Sequence, residues 1–242
     1  MSETAKPGKA NSVSSPTHMT PRQRLIAALH GEQVDRVPTW LMRQAGRYLP
    51  QYRKIRKEYD FLQLCKTPDA AARVSIQPLE AIGSDAVIIF NDIMLPLEHA
   101  GAKVRFDNQG PVVERPPETL VDFRLIPDHK VTPDEPVTST IRIVRERVGQ
   151  DIPILGFIGA PWTLATYWIE GRVQKQFKRI GSLRFSNPEY LHSILERITR
   201  SAADYLEIQI RSGVDAVQIF DTWGSILSTV EWQEFSAPYI QK

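Results

Sequence analysis

Asp85–Phe90 reads DAVIIF, and the fold turns on how this stretch is read. An unbroken apolar run this short, with no polar face, predicts a strand buried on both sides. Asn91 and Asp92 follow it at once. The same grammar returns at Ile152–Phe157 (IPILGF), followed by Gly159-Ala160-Pro161. It returns again at Val214–Phe220 (VDAVQIF), followed by Asp221-Thr222-Trp223-Gly224. Val37–Met42, leading out of Pro38, reads as an earlier strand of the same kind.

Helical patterns separate these runs. Thr20 is an expected N-cap with Pro21 in the first turn, opening a helix that Gly31 stops. Further helices are expected over Leu49–Tyr59, Asp69–Ala81 with Pro78 straining its last turn, Thr138–Val148, Leu164–Glu170, Pro188–Arg211 and Val230–Tyr239. Lys103–Phe106 and Pro111–Glu114 read as a small excursion, and Pro116–Pro136 as a polar, proline-rich connection. Strands alternating with helices imply a parallel sheet. Both a doubly wound sheet and a (β/α)8 TIM barrel place ligands at strand C-terminal ends, where the polar residues sit here. No G-x-G-x-x-G or P-loop follows any strand, which favours the barrel. Four units fill most of the chain, whereas eight with their helices need roughly 250 residues. The expectation is therefore the N-terminal part of a barrel, with about four of eight β/α units present.

Composition bounds the rest. The longest apolar run, Ala86–Phe90, is far short of the ~18–20 residues of a membrane span, which argues against a membrane protein. The net charge of +2 is spread along the chain, so no basic block marks a nucleic-acid face. The single cysteine, Cys65, excludes an internal disulfide and fits a reducing, cytoplasmic setting. Residues 1–19 read as a disordered tail, since Met1–Thr17 has almost nothing to bury. Residues 20–242 are expected to form the partial barrel. The five histidines show no ligand spacing, so no metal is expected, and no G-x-S-x-G elbow is present.

The candidate chemistry lies at the strand ends. Arg43 and Arg47 are four apart with Gly46 between them, which puts two guanidiniums on one side for a ligand with several carboxylates or phosphates. Salt-bridged surface arginines are the competing reading. Asp92 could stabilise a cationic or N–H-rich ligand, or simply cap a turn. Gly156–Gly171 (GFIGAPWTLATYWIEG) offers glycines for close approach and Trp162, Tyr167 and Trp168 as flat walls, although Trp168 reads better as core. Tyr167 carries a hydroxyl in need of a polar partner. Thr222 is either a substrate-binding hydroxyl or part of a turn.

MRQAGRYLP (Met42–Pro50) and GFIGAPWTLATYWIEG (Gly156–Gly171) resemble the two signatures of the uroporphyrinogen decarboxylase family. IIFNDI (Ile88–Ile93) and QIFDTWG (Gln218–Gly224) are similar to further segments of it, and the similarity runs from about Thr20 to Lys242. The resemblance implies a TIM barrel that removes the four acetate carboxyls of uroporphyrinogen III in haem biosynthesis, giving coproporphyrinogen III. It implies no cofactor, a tetrapyrrole as the small-molecule partner, and a homodimer. It also implies catalytic roles for Asp92 and Arg43, and substrate contacts from Arg43, Gln44, Ala45, Gly46, Arg47, Arg56, Asp92, Tyr167 and Thr222. The family's barrel continues for roughly another hundred residues, including a histidine near its C-terminus. A chain lacking that part is expected to be unstable or inactive by itself. The alternatives are an inactive fragment of such an enzyme and a related barrel methyltransferase.

Overall fold

The computed structural model describes residues 18–107, 110–133, 135–172 and 176–242. The tail expected over residues 1–19 lies almost wholly outside the described residues. Three parallel strands form the central sheet: β1 (Val87–Ile88), β4 (Ile154–Gly159) and β5 (Ala216–Phe220), side by side in chain order. Between them β2 (Val104–Asp107) and β3 (Gly110–Val113) pair antiparallel as a hairpin, which is the excursion expected from the sequence. The first half carries helices α1 (Pro21–Leu29), α2 (Pro50–Glu58), α3 (Phe61–Cys65), α4 (Pro68–Ile82), α5 (Leu95–His99), α6 (Leu120–Arg124) and α7 (Pro136–Val148). The second carries α8 (Pro161–Glu170), α9 (Lys178–Ser186), α10 (Pro188–Arg211), α11 (Thr229–Phe235) and α12 (Ala237–Ile240). No helix among the described residues is long and apolar enough to cross a membrane.

The helix starts follow local chemistry. Thr20 caps α1 through a capping box with Gln23, Asp60 caps α3 in the same way with Gln63, and Ser228 caps α11 with Glu231. Proline opens α1, α2, α4, α7, α8 and α10, where its missing N–H costs nothing. Pro78 does not end α4, which continues to Ile82.

Side-chain alternation along the strands separates two faces. Val87, Ile89, Ile154 and Ile158 pack outward against Ala72 of α4, Ile141 and Val144 of α7, and Ala202 and Tyr205 of α10. Ala86 and Leu155 point the other way, onto Leu25 of α1, with Trp40, Ile88 and Ala216 beside them. The three long helices thus cover one face and α1 plugs the N-terminal end of the other. This is the arrangement of a barrel wall, whereas a doubly wound sheet carries helices on both faces.

The plug is fixed by charge. Asp85, just before β1, pairs with Arg24 of α1 and with Arg36. Asp215, just before β5, pairs with Arg22 of α1 and with Arg145 of α7, and accepts the Ile154 N–H at 2.7 Å. The two strands open on related sequences, GSDAV (83–87) and GVDAV (213–217), each with its glycine at positive φ and its aspartate tied to α1. One device has been used twice.

The strand expected over Val37–Met42 does not form. Residues 37–41 are neither helix nor strand, and Val37, Leu41 and Met42 are largely exposed. The segment lies against β1 through other bonds: Asp85 donates its N–H to the Thr39 carbonyl at 2.7 Å, and the Thr39 N–H returns to Asp85 Oδ2 at 2.8 Å. One backbone bond and the Asp85 carboxylate stand in for a ladder.

β4 and β5 stay paired over Leu155–Gly159, but β1 and β4 part company after Ile88 and Leu155. The freed strand groups are met from the outer helices. Ser75 of α4 accepts the Phe90 N–H at 2.8 Å, and the Gln209 amide of α10 bonds both the N–H and the carbonyl of Phe157, at 2.9 and 3.1 Å. A Cβ on Gly156 would meet Gln209 Oε1 at 2.5 Å. Gly156→Ala is expected to cost about 1–3 kcal/mol by forcing that amide off the strand. A lower urea midpoint at unchanged slope checks this, and an unaltered midpoint would contradict it.

Candidate active site

The C-terminal ends of the parallel strands β1, β4 and β5 open on one side, and the loop 37–49 runs beside β1, bonded to it at Asp85 and Ala86. Met42 and Arg43 occupy the corner of a turn closed by the Gln44 N–H donating to the Leu41 carbonyl at 2.9 Å. Arg43 has φ of 61°, the sole non-glycine residue at positive φ among the described residues, a conformation that strains an ordinary side chain by about 1 kcal/mol or more. Gln44 holds the turn down. Its buried amide donates to the Ala86 carbonyl at 2.9 Å and accepts the Leu41 N–H at 3.1 Å. Its side chain therefore serves the loop. Ala45 and Gly46 follow in the half-buried backbone before α2.

The arginines of this segment fall into two groups. Arg43 is exposed, and its positive charge bears on the Tyr167 hydroxyl. Arg47 and Arg56 both bear on Tyr52, which packs against Phe90 at the end of β1. The Arg56 guanidinium also donates to the Tyr59 carbonyl at 2.5 Å and sits over the Phe61 ring. Neither Arg43 nor Arg47 has an acidic partner among the described residues, which removes the reading of salt-bridged surface arginines.

Asp92 stands just beyond the end of β1. Its Oδ1 accepts the Met94 N–H at 2.7 Å, so the turn-capping reading holds for one oxygen. No cation pairs with the carboxylate among the described residues. Burial pushes its pKa up to about 6, against the Met94 hydrogen bond and with help from Glu98. A carboxylate held this way is short of positive charge. Asn91 beside it donates to the Tyr205 hydroxyl at 2.8 Å, which ties this strand end to α10.

Tyr167 projects from α8, half-buried. Burial raises its hydroxyl pKa, and the charges of Asp92 and Arg43 both act on it. Tyr167 thus lies within electrostatic reach of both Asp92 and Arg43, while Thr222 is exposed on the loop after β5 with no bond from its hydroxyl among the described residues. Asp221 is consumed internally, accepting from Thr163 Oγ1 at 2.9 Å, Ser236 Oγ at 2.7 Å and Trp232 Nε1 at 3.3 Å.

Two expectations for Gly156–Gly171 are corrected. The space beside its glycines is taken by protein groups: Gln209 lies against Gly156, Leu164 and Ile93 against Gly159, and Arg115 against Gly171. Trp162 is also no wall of the cleft. It is fully buried with Trp168 in the core, its indole donating to the Trp223 carbonyl at 2.9 Å. The aromatic edge the sequence reading passed over is Trp223, which meets Tyr167 at 6.0 Å between ring centroids. Its place directly after Thr222 at a strand end was the available signal.

Together these features define an arc of a (β/α)8 barrel whose strand ends gather a carboxylate, a phenol and unpaired guanidiniums. The uroporphyrinogen decarboxylase (URO-D) family model matches residues 20–242, and the chain belongs to that family. A uroporphyrinogen decarboxylase of Geobacter metallireducens is 43% identical over 220 residues, covering 90% of this chain and 64% of the relative. One of Trichlorobacter lovleyi is 44% identical over 222 residues, again covering 90% and 64%. The chain thus spans somewhat under two thirds of the length of these curated relatives. Among solved structures, a methyltransferase from Methanosarcina mazei superposes with a TM-score of 0.73 at 23% identity, covering 93% of this chain and 66% of that one. At that identity the likeness is one of fold.

Proposed function

We propose that the protein is a decarboxylase acting on the acetate side chains of uroporphyrinogen III, converting them to the methyl groups of coproporphyrinogen III. The observation that carries this reading is Asp92: a half-buried carboxylate with no cation paired to it among the described residues, whose charge reaches the Tyr167 hydroxyl on which Arg43 also acts. A tetrapyrrole supplies what such a site lacks. Its pyrrole N–H groups are donors for a carboxylate, and its many acid side chains suit Arg43, Arg47 and Arg56.

The chemistry needs no external electron sink. A proton added to the α ring carbon next to the one that bears the acetate makes a cationic ring, with positive charge shared by the acetate-bearing carbon. The bond to the carboxyl carbon then breaks, CO2 leaves, and its electron pair neutralises the ring. A second proton reaches the new exocyclic carbon to form the methyl group, and the first is lost from the ring. Each acetate thus consumes one proton and releases one CO2. Asp92 would stabilise the cation, which is worth far more in a desolvated site than in water. Arg43 would hold the departing carboxylate and hand over a proton, with Tyr167 donating nearby. The Ala45 and Gly46 backbone and the exposed Thr222 hydroxyl would complete the substrate contacts. In this reading the protein works without a cofactor, as a cytoplasmic homodimer.

Anaerobic incubation of the complete gene product with uroporphyrinogen III should give species with seven, six, five and then four carboxyls, with matching CO2. Absence of both CO2 and porphyrinogen binding would end this reading.

A further inference from the structure

Trp223 is anchored through its backbone after β5, yet the polar atom of its side chain has no partner among the described residues. Its backbone N–H donates to Thr163 Oγ1 at 3.0 Å, and its carbonyl accepts the Trp162 indole at 2.9 Å. Thr163 is fixed in turn by donating to Asp221 Oδ1 at 2.9 Å. The Trp223 ring meets Phe177 at 4.7 Å and stands edge-on to Tyr167 at 6.0 Å. Within this frame Nε1 is buried with no acceptor in hydrogen-bond geometry. An indole nitrogen can only donate, and leaving a buried donor unpaired costs about 1–3 kcal/mol. The group on which it bears is the Tyr167 hydroxyl, whose ionised form the Trp223 side chain favours.

We propose that Trp223 is a positioning residue for Tyr167: its indole N–H closes onto the phenol oxygen and commits the phenol proton to a group bound in the cleft. A phenol can donate or accept, and by itself it does not choose. Once its oxygen accepts from the indole, its own proton must point away. Asp92 just beyond the end of β1 and Arg43 on the loop before α2, whose charges reach the same hydroxyl, place it on the strand-end side. Tyr167 then becomes a fixed donor to a ligand carboxylate. The identity of that ligand rests on the decarboxylase reading; the coupling of the two side chains belongs to the protein alone.

The test therefore has two arms. Trp223→Phe keeps a ring and removes the N–H, whereas Trp223→His restores a ring donor. In a 15N–1H spectrum the five tryptophans give five indole signals, and loss of one in Trp223→Phe identifies Trp223. In Tyr167→Phe that signal should move upfield as its acceptor disappears, with the other indole signals in place. A Trp223 signal that does not move overturns the proposal. In turnover of uroporphyrinogen III, Trp223→Phe should lower kcat roughly tenfold, as the loss of one neutral hydrogen bond allows, with KM little changed. Trp223→His should recover most of that loss. Equal losses in both variants, or an effect on KM alone, overturn it as well. A moving signal in a protein that does not turn over uroporphyrinogen would retire the substrate and leave the coupling standing.

Discussion

Asp92→Asn should lose about 10²- to 10³-fold in kcat on uroporphyrinogen, the range seen when one preorganised charge-stabilising group is removed. The substitution is well suited to isolating charge. Asn keeps an oxygen to accept the Met94 N–H, so the turn after β1 survives. Only the negative charge facing the cleft is lost. The same carboxyl makes two pH predictions. Activity that needs ionised Asp92 should fall as pH drops through about 6, the value to which burial raises the group. Stability runs the other way. The folded state holds this proton more tightly than the unfolded state, so folding is favoured below about pH 4 and that advantage is gone above about pH 6. Asp92→Asn should therefore raise stability at pH 8, by about 1–2 kcal/mol after allowing for solvent screening, with no gain near pH 4. Denaturant titrations at both pH values check this. A variant with normal turnover would remove Asp92 from the chemistry.

Asp85→Ala should be the most damaging change far from the cleft, costing about 2–4 kcal/mol. Asp85 is buried and accepts from Arg24 Nη1 at 2.9 Å, both terminal nitrogens of Arg36 at 2.6 and 2.7 Å, the Thr39 N–H at 2.8 Å and the Thr39 hydroxyl at 3.1 Å. Removing it leaves the buried Arg24 with Asp35 and the Met19 carbonyl, so the loss falls short of that for a fully orphaned charge. Burial alone would raise the Asp85 pKa, but the bonds from Arg36 and Thr39 outweigh it and hold the group below the ordinary value of 3.8. Its contribution is therefore present above about pH 4 and is lost as the pH falls further. The same bonds anchor the loop carrying Arg43, so KM should rise along with the loss of stability. A urea midpoint at pH 7 within error of the unaltered protein would show that the plug is held by other contacts.

What the sequence revealed and what it hid divide along physical lines. DAVIIF, IPILGF and VDAVQIF were legible because burial on both sides demands continuous apolar runs, and Pro188–Arg211 because its apolar residues keep helical spacing. PTWLMR misled because apolar residues also suggest a strand where the chain is held by side chains and left open to solvent. The glycines of GFIGAPW were legible as close approaches, but what approaches Gly156 is Gln209 from the distant α10, and nothing local announces it. The α3 helix left a capping box at Asp60 and Gln63 yet spans too few residues to show a period. At the site, Asp92 and Tyr167 stood out by chemistry and position. Trp223 did not, because its role depends on an unmet donor that only the packing exposes.

The parting of β1 from β4 has a consequence for how this protein could be reshaped. Where a ladder continues, strand spacing is fixed near 4.8 Å by the backbone itself. Past Ile88 and Leu155, a serine on α4 holds the strand that presents Asp92 and a glutamine on α10 holds the strand that leads to Tyr167. Lengthening or shortening either side chain is expected to shift its strand end, and with it the acid or the phenol, from behind the wall.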